Sequence, residues 1–306
     1  MGKIAFVFSG QGAQYVGMGK ELTEVSAAAK DVFTTAESLR PGIISRCFDG
    51  PKEELNRTVH TQPCLYCTDL AAAVALREAG IVPDMVAGFS LGELAALTFA
   101  GAYSEEDGFR LVAKRGELMQ AAAEKVDTAM LAVIKLSNEA VEAVCQNYEH
   151  IYPVNYNCPG QLVVAGLKEE MTPFKVEIKA AGGRCVPLAV SGGFHTPYMA
   201  EAADGLADFM ETIEIKTPFL PVYANYSAAP YEENVRELLA LQVKNPVRWQ
   251  KIVETMISQG VDTFIEVGAG KTLCGFIGKI DPSVTTYHVE DRASYEATVE
   301  AVKNNA

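Results

Sequence analysis

Ser90 stands in Gly88-Phe89-Ser90-Leu91-Gly92, a G-x-S-x-G pattern. The strand-like "DMVAG" precedes it and the helix-forming "LGELAALTFAGA" follows. A nucleophilic serine on a sharp strand-to-helix turn is written this way, because the flanking positions must carry no side chain. The backbone N–H of Leu91 would then serve as an oxyanion donor. The competing reading is a helix cap, with Ser90 and Glu93 as the two halves of a capping box. The serine alone does not separate transfer of an acyl group from its hydrolysis.

A serine nucleophile needs a base. The chain has four histidines. His60 stands at a helix start, where capping or surface roles are common, and His150 falls in a connection. His288 lies where an α/β-hydrolase keeps its base, and His195, in "SGGFHTPYM", lies where two parts of the chain rejoin. That junction favours His195, with His288 as the alternative and a histidine packed in a domain interface as the plain one. No Asp or Glu declares itself as a third member, so a Ser–His dyad held by backbone carbonyls is equally admissible.

Arg115 is the most informative charge. Its helix is expected to begin at Ser104, with Glu105, Glu106 and Asp107 in the first turn, where the helix dipole favours them. At helical spacing Phe109, Leu111, Val112, Leu118, Met119 and Ala122 share one half of the wheel. Arg115 lies amid that apolar half. A buried guanidinium requires a partner. Either an internal carboxylate pairs with it, or a substrate carboxylate does, held by two parallel hydrogen bonds.

Other motifs carry less. "GQGAQYVGMG" has Tyr15 where a dinucleotide fingerprint needs glycine, and "EVGAGKTL" has Ile265 where a phosphate loop needs one. Cys64-x-x-Cys67 lies inside a helical stretch with no second Cys or His pair, so no metal site is expected.

The elements that must position these residues alternate. "KIAFVFS", "DMVAG", "PVYAN" and "TFIEVG" read as strands. "TQPCLYCTDLAAAVALREAG", "YEENVRELLALQVK", "RWQKIVETMISQG" and a last run from about Arg292 read as helices. This predicts an α/β fold with a mostly parallel sheet. Between Met130 and Val190 the order is β-α-β-β-α-β, a ferredoxin-like insertion. The expected division is a core of residues 1–127 and 196–306 with a subdomain over 128–195, and a ligand in the cleft between them.

Composition is that of a globular protein: 306 residues, 49% hydrophobic and 21% charged. A net charge of −13 argues against nucleic-acid binding, which needs a basic face. The N-terminus reads as a strand rather than a leader, no run is long enough to span a bilayer, and the seven scattered cysteines suit a reducing compartment. A cytoplasmic protein without membrane contact is expected.

"FVFSGQGAQYVGMG", "TQPCLY", "GFSLGELAAL", "AKRGELMQ", "VNYNCPGQLVVAG", "GGFHTPYM", "NPVRW" and "EVGAGKTL" occur in this order. Together they resemble the malonyl-CoA:acyl-carrier-protein transacylases of bacterial fatty acid synthesis and the related acyltransferase domains of polyketide synthases. The resemblance runs from about Ile4 to beyond Leu273. It implies a hydrolase-like α/β core with an inserted ferredoxin-like subdomain. It also implies malonyl transfer from malonyl-CoA, through a malonyl-serine, to the phosphopantetheine thiol of acyl carrier protein. By motif, Ser90 resembles the nucleophile and His195 the base, and Gln242 resembles the carbonyl donor that orients the histidine. Gln11 and Leu91 resemble the oxyanion donors, and Arg115 the grip on the malonyl carboxylate. Phe194 resembles the aromatic that goes with malonyl rather than branched acyl groups. Asn155 and Gln161 resemble polar residues near the site, and Met119 is counted with the substrate contacts. No metal or cofactor and a monomeric state are expected. Two departures stand out: Phe89 replaces a usual histidine before the nucleophile, and "GGFHTP" replaces a motif that usually has a small residue and reads "FHSP".

Overall fold

The protein is described here from a computed structural model covering residues 2–305. Nine strands form two sheets: β1 (Lys3–Phe8), β2 (Met85–Gly88), β3 (Thr128–Ile134), β4 (Ile151–Cys158), β5 (Gln161–Leu167), β6 (Arg184–Pro187), β7 (Val222–Tyr223), β8 (Val261–Val267) and β9 (Thr285–Val289). The first sheet has the order β7-β2-β1-β8-β9 and is parallel throughout. The second has the order β4-β5-β3-β6 and is antiparallel. With its helices Asn138–Cys145 and Met171–Ala180 it gives the β-α-β-β-α-β run expected from the sequence.

Side chains alternate across a strand, and β1 displays the result. Phe6 and Phe8 enter one apolar cluster with the helices Thr58–Glu78 and Gly92–Phe99, where both rings meet Phe99. Ala5 and Val7 enter a second cluster on the other face, with the helices Trp249–Ser258 and Thr272–Ile280. Strand order reverses at β1, whose neighbours are β2 and β8. The carboxyl ends of parallel strands at such a point form a crevice, and Ser9–Gln11, Ser90 and Gly268 all follow strands there.

The helix Thr58–Glu78 is buried almost all round. Pro63 lies inside it and cannot donate to the carbonyl four residues back. That carbonyl, of Val59, accepts instead from Arg40 Nη1 at 3.1 Å. The helix begins at Thr58, earlier than its "TQP" reading, because Arg57 and not a later residue provides the cap position. β7 is shorter than "PVYAN" suggests: Asn225 at its end bonds to the β2–helix turn rather than into a ladder. Helices at Ala27–Leu39 and Ile43–Phe48, and the edge strand β9, lie outside the elements read from the sequence. Among the described residues, no helix is long and apolar enough to cross a membrane.

Candidate active site

Ser90 follows β2 with φ of +52°. A non-glycine residue held there is strained and persists only where its surroundings enforce it. They do. A Cβ on Gly88 would overlap the backbone of Gly92 and Glu93, and one on Gly92 would overlap the Phe8 carbonyl at the end of β1. Asn225 clamps the turn from the next strand: its Oδ1 accepts from Ser90 N–H at 2.7 Å and its Nδ2 donates to the Gly88 carbonyl at 2.6 Å. The capping-box reading fails. The helix cap is Leu91, without a side-chain bond, and the Glu93 carboxylate faces inward.

Ser90 Oγ has two partners, His195 Nε2 at 2.8 Å and Arg115 Nη2 at 3.1 Å. His195 also has positive φ, +62°. Its Nδ1 lies 2.8 Å from the main-chain oxygen of Gln242. A carbonyl only accepts, so Nδ1 carries the proton and Nε2 is free to receive one from Ser90. Burial, reinforced by the positive charge of Arg115, pushes the imidazole down to about 4. His195 is therefore neutral near pH 7. Its orienting partner is a main-chain carbonyl, not a carboxylate. His288 sits on the edge strand β9 against Glu290, 3.7 Å away, and His60 against Glu54, at 3.2 Å.

The Ser104 side chain caps the helix Glu105–Ala123 at Asp107 N–H, and Arg115 is buried on its apolar face. Neutral oxygens hold it: Gln62 Oε1 on Nη1 and Gln242 Oε1 on Nη2, both at 2.9 Å. Its Nε has no partner. Among the described residues no carboxylate forms an ion pair with it. Glu93 acts on it only at longer range, and burial lowers it to about 10. Glu93 accepts from Asn225 N–H at 3.1 Å, from Tyr231 Oη and from Gln242 Nε2 at 2.8 Å. Burial lifts Glu93 to about 7, against those donors and Arg115, which favour its charged form.

The remaining sequence candidates fall around this centre. The loop carrying Gln11 runs against the serine turn, since a Cβ on Gly10 would meet Phe89 Cδ1 at 2.9 Å. Gln11 Nε2 donates to Thr58 Oγ1 at 3.1 Å. Leu91 and Phe194 are buried beside Ser90 and His195 in the chain. Met119 lies behind Gln62, its sulfur 3.5 Å from Gln62 Nε2. Asn155 and Gln161, from the second sheet, line a cavity of about 220 Å³ with Gln11, Phe89 and Glu266. Buried Asn155 Oδ1 and Asn157 Oδ1 are unpartnered. Phe89 packs edge-on to Trp249 at 5.5 Å. Gln62, Asn225 and Tyr231 escaped the sequence reading. For Gln62 there is a signal, the one amide in a helix buried almost all round and opposite an arginine that needs acceptors. Cys64 and Cys67 are buried free thiols inside one helix.

A family model described as acyl transferase domain matches residues 5–279. The chain is 39% identical to the malonyl CoA-acyl carrier protein transacylase of Bacillus subtilis (strain 168), over 99% of this chain and 98% of that one. It is 38% identical to the protein of that name from Escherichia coli (strain K12), over 98% and 100%. Among solved structures, the transacylase of that name from Clostridium perfringens superimposes with a TM-score of 0.95 at 39% identity, over 99% of this chain and 98% of that one. A malonyl-transacylase solved with its type II PKS acyl-carrier protein gives 0.94 at 37% identity, over 98% and 99%.

Proposed function

Since the chain belongs to the acyl transferase family and matches its malonyl CoA-acyl carrier protein transacylases over nearly its full length, we propose that it moves a malonyl group from malonyl-CoA to the phosphopantetheine thiol of acyl carrier protein. Ser90 Oγ gives its proton to His195 Nε2 as it attacks the thioester carbonyl. The backbone N–H groups of Leu91 and Gln11 hold the oxyanion. The tetrahedral intermediate collapses, the C–S bond breaks, and coenzyme A leaves with the proton from His195. A malonyl-Ser90 ester remains. The carrier-protein thiol then attacks it, passing its proton through His195, and Ser90 is restored. The two substrates thus react in turn at one dyad, with the Gln242 carbonyl steadying the imidazole. Phe194 and Met119 form part of the acyl pocket, and Asn155 and Gln161 part of the wall for the thioester arm. These steps use only groups of the chain and its substrates.

The observation that carries this reading is Arg115: a buried guanidinium 3.1 Å from the serine oxygen, held by neutral amides and lacking a carboxylate of its own. A malonyl group on Ser90 supplies that carboxylate. Truncating one partner of a buried charge pair costs about 2–5 kcal/mol, roughly 30-fold to several thousand-fold. Arg115→Ala is therefore expected to cut malonyl kcat/KM by that factor while acetyl transfer changes little. Equal losses for both thioesters would make Arg115 a structural residue. Intact mass after mixing with malonyl-CoA checks the intermediate: an adduct on the native protein, none on Ser90→Ala. Rapid thioester hydrolysis that carrier protein does not redirect would instead identify a thioesterase.

A further inference from the structure

Gln242 is an unusual glutamine. Its main-chain oxygen accepts the hydrogen bond from His195 Nδ1–H, while its side chain touches both Arg115 and the Ser90 backbone. The side-chain amide has two protons and one oxygen to place. One proton goes to the Ser90 carbonyl at 2.6 Å and the other to Glu93 Oε2 at 2.8 Å. The oxygen is left facing Arg115 Nη2 at 2.9 Å. Turning the amide over would set its oxygen against a carboxylate and a carbonyl, and its N–H groups against a guanidinium. Every contact would become repulsive.

Glu93 is what makes that choice one-sided. It is wholly buried in the first turn after the elbow, and each of its hydrogen-bond partners is a donor. Asn225 N–H and Tyr231 Oη take one oxygen, leaving the other for Gln242 alone. A carboxamide at position 93 could keep its oxygen on the first pair only by presenting an NH2 group to Gln242 Nε2, donor against donor.

We propose that Glu93 is a positioning residue for acyl-group selection: its carboxylate fixes the Gln242 amide, whose oxygen anchors the Arg115 guanidinium over Ser90. The proposal rests on the reading of Arg115 as the malonyl grip. It separates the contacts of Gln242. The main-chain oxygen serves His195 and the amide nitrogen the Ser90 turn, both needed for acyl transfer in general, while the amide oxygen serves Arg115 and hence malonyl in particular.

The test is the ratio of kcat/KM for malonyl and acetyl thioesters, measured at pH 8. A misplacement of about 1 Å in a positioning group costs up to about 10²-fold, so Glu93→Gln is expected to lower the ratio by about 10- to 100-fold. Gln242→Met keeps the main-chain carbonyl and removes the amide, so it must lower the ratio similarly, whatever loss common to both thioesters it adds through the Ser90 carbonyl. The double variant should be no worse than the poorer single one. Tyr231→Phe, which leaves the Glu93–Gln242 bond in place, should leave the ratio unchanged. If Gln242→Met keeps the native ratio, or if the two losses multiply in the double variant, the proposal is overturned. It is equally overturned if Tyr231→Phe matches Glu93→Gln, since the ratio would then report general loosening. Should Glu93→Gln not fold, the Gln242→Met ratio decides. Arg115→Ala run alongside separates the layers. If it leaves the ratio intact, the malonyl grip itself is wrong, and if it alone flattens the ratio, only the part assigned to Glu93 is wrong.

Discussion

Buried against Arg115, the His195 imidazole titrates at about 4 rather than near its ordinary value of about 6.5. A base acts only while unprotonated, so the depressed value extends the active range downward in pH. Acetyl transfer, which on the proposed reading does not engage Arg115, is expected to hold level from pH 8 to about 5 and to fall through about 4. An acid limb near 6.5 would mean that His195 is solvated in the working enzyme. Stability follows the same group with a definite sign. The unfolded chain protonates this imidazole near 6.5 and the native chain only near 4. Folding therefore loses up to about 3 kcal/mol as pH drops through that window. His288→Ala, on the edge strand, should alter neither limb. At this scale the sequence was most informative where chemistry leaves few options. Ser90 was visible from its glycines, His195 by elimination, and Arg115 from a charge on an apolar face. Gln62, Asn225 and the inward turn of Glu93 were not, because neutral amides and a carboxylate beside a helix start look the same in a sequence whether they face water or a guanidinium.

The serine turn draws its shape from three elements. β2 delivers Ser90, the helix Gly92–Phe99 leaves it, and Asn225 at the end of β7 ties the two together. Asn225→Ala would leave the Ser90 N–H and the Gly88 carbonyl without partners. A buried group left unsatisfied costs about 1–3 kcal/mol, so a loss of about 2–6 kcal/mol is expected, read from the denaturant midpoint. Asn225→Asp retains the acceptor for Ser90 but sets a buried carboxylate oxygen against the Gly88 carbonyl, so it should cost at least as much. A visibly smaller loss would mean that the Ser90 bond dominates and the Gly88 bond contributes little. The elements with clear alternation or a clear cap were legible, among them β1, β8 and the helix after Ser104. The helix Ala27–Leu39 is harder to read, although Ser26 caps it at Ala29 N–H, 3.0 Å. Its buried residues Ala29, Val32, Phe33 and Ala36 keep helical spacing, but half of that inward stripe is alanine and the other faces carry alanines too, so it does not stand out by residue type.

Across the whole molecule, one short segment pairs directly with the second sheet. Val247 N–H donates to the Val154 carbonyl at 2.8 Å and its carbonyl accepts from Tyr156 N–H at 2.9 Å, pairing the segment with β4 on either side of Asn155. The next residue, Arg248, donates its N–H to the Asn225 carbonyl at 3.0 Å, and Gln242 stands a few positions earlier on the preceding helix, Val235–Lys244. The stretch from Gln242 to Arg248 therefore touches His195, the second sheet and the elbow clamp in turn. It fixes the distance from Ser90 to the wall that carries Asn155 and Gln161. Val247→Pro removes the donor to Val154, leaving a buried carbonyl unpaired at about 1–3 kcal/mol. The expected result is a split. The dyad contacts do not pass through this bond, so single-turnover acetylation of Ser90 should stay within about tenfold of native, since a loss confined to one hydrogen bond is about a decade in rate. KM for the coenzyme A thioester should rise, because the wall proposed to face its arm would no longer be held in register. If kcat collapses and KM is unchanged, the segment serves His195 through Gln242 first and the second sheet only incidentally, and the cleft between the sheets would not be the thioester channel.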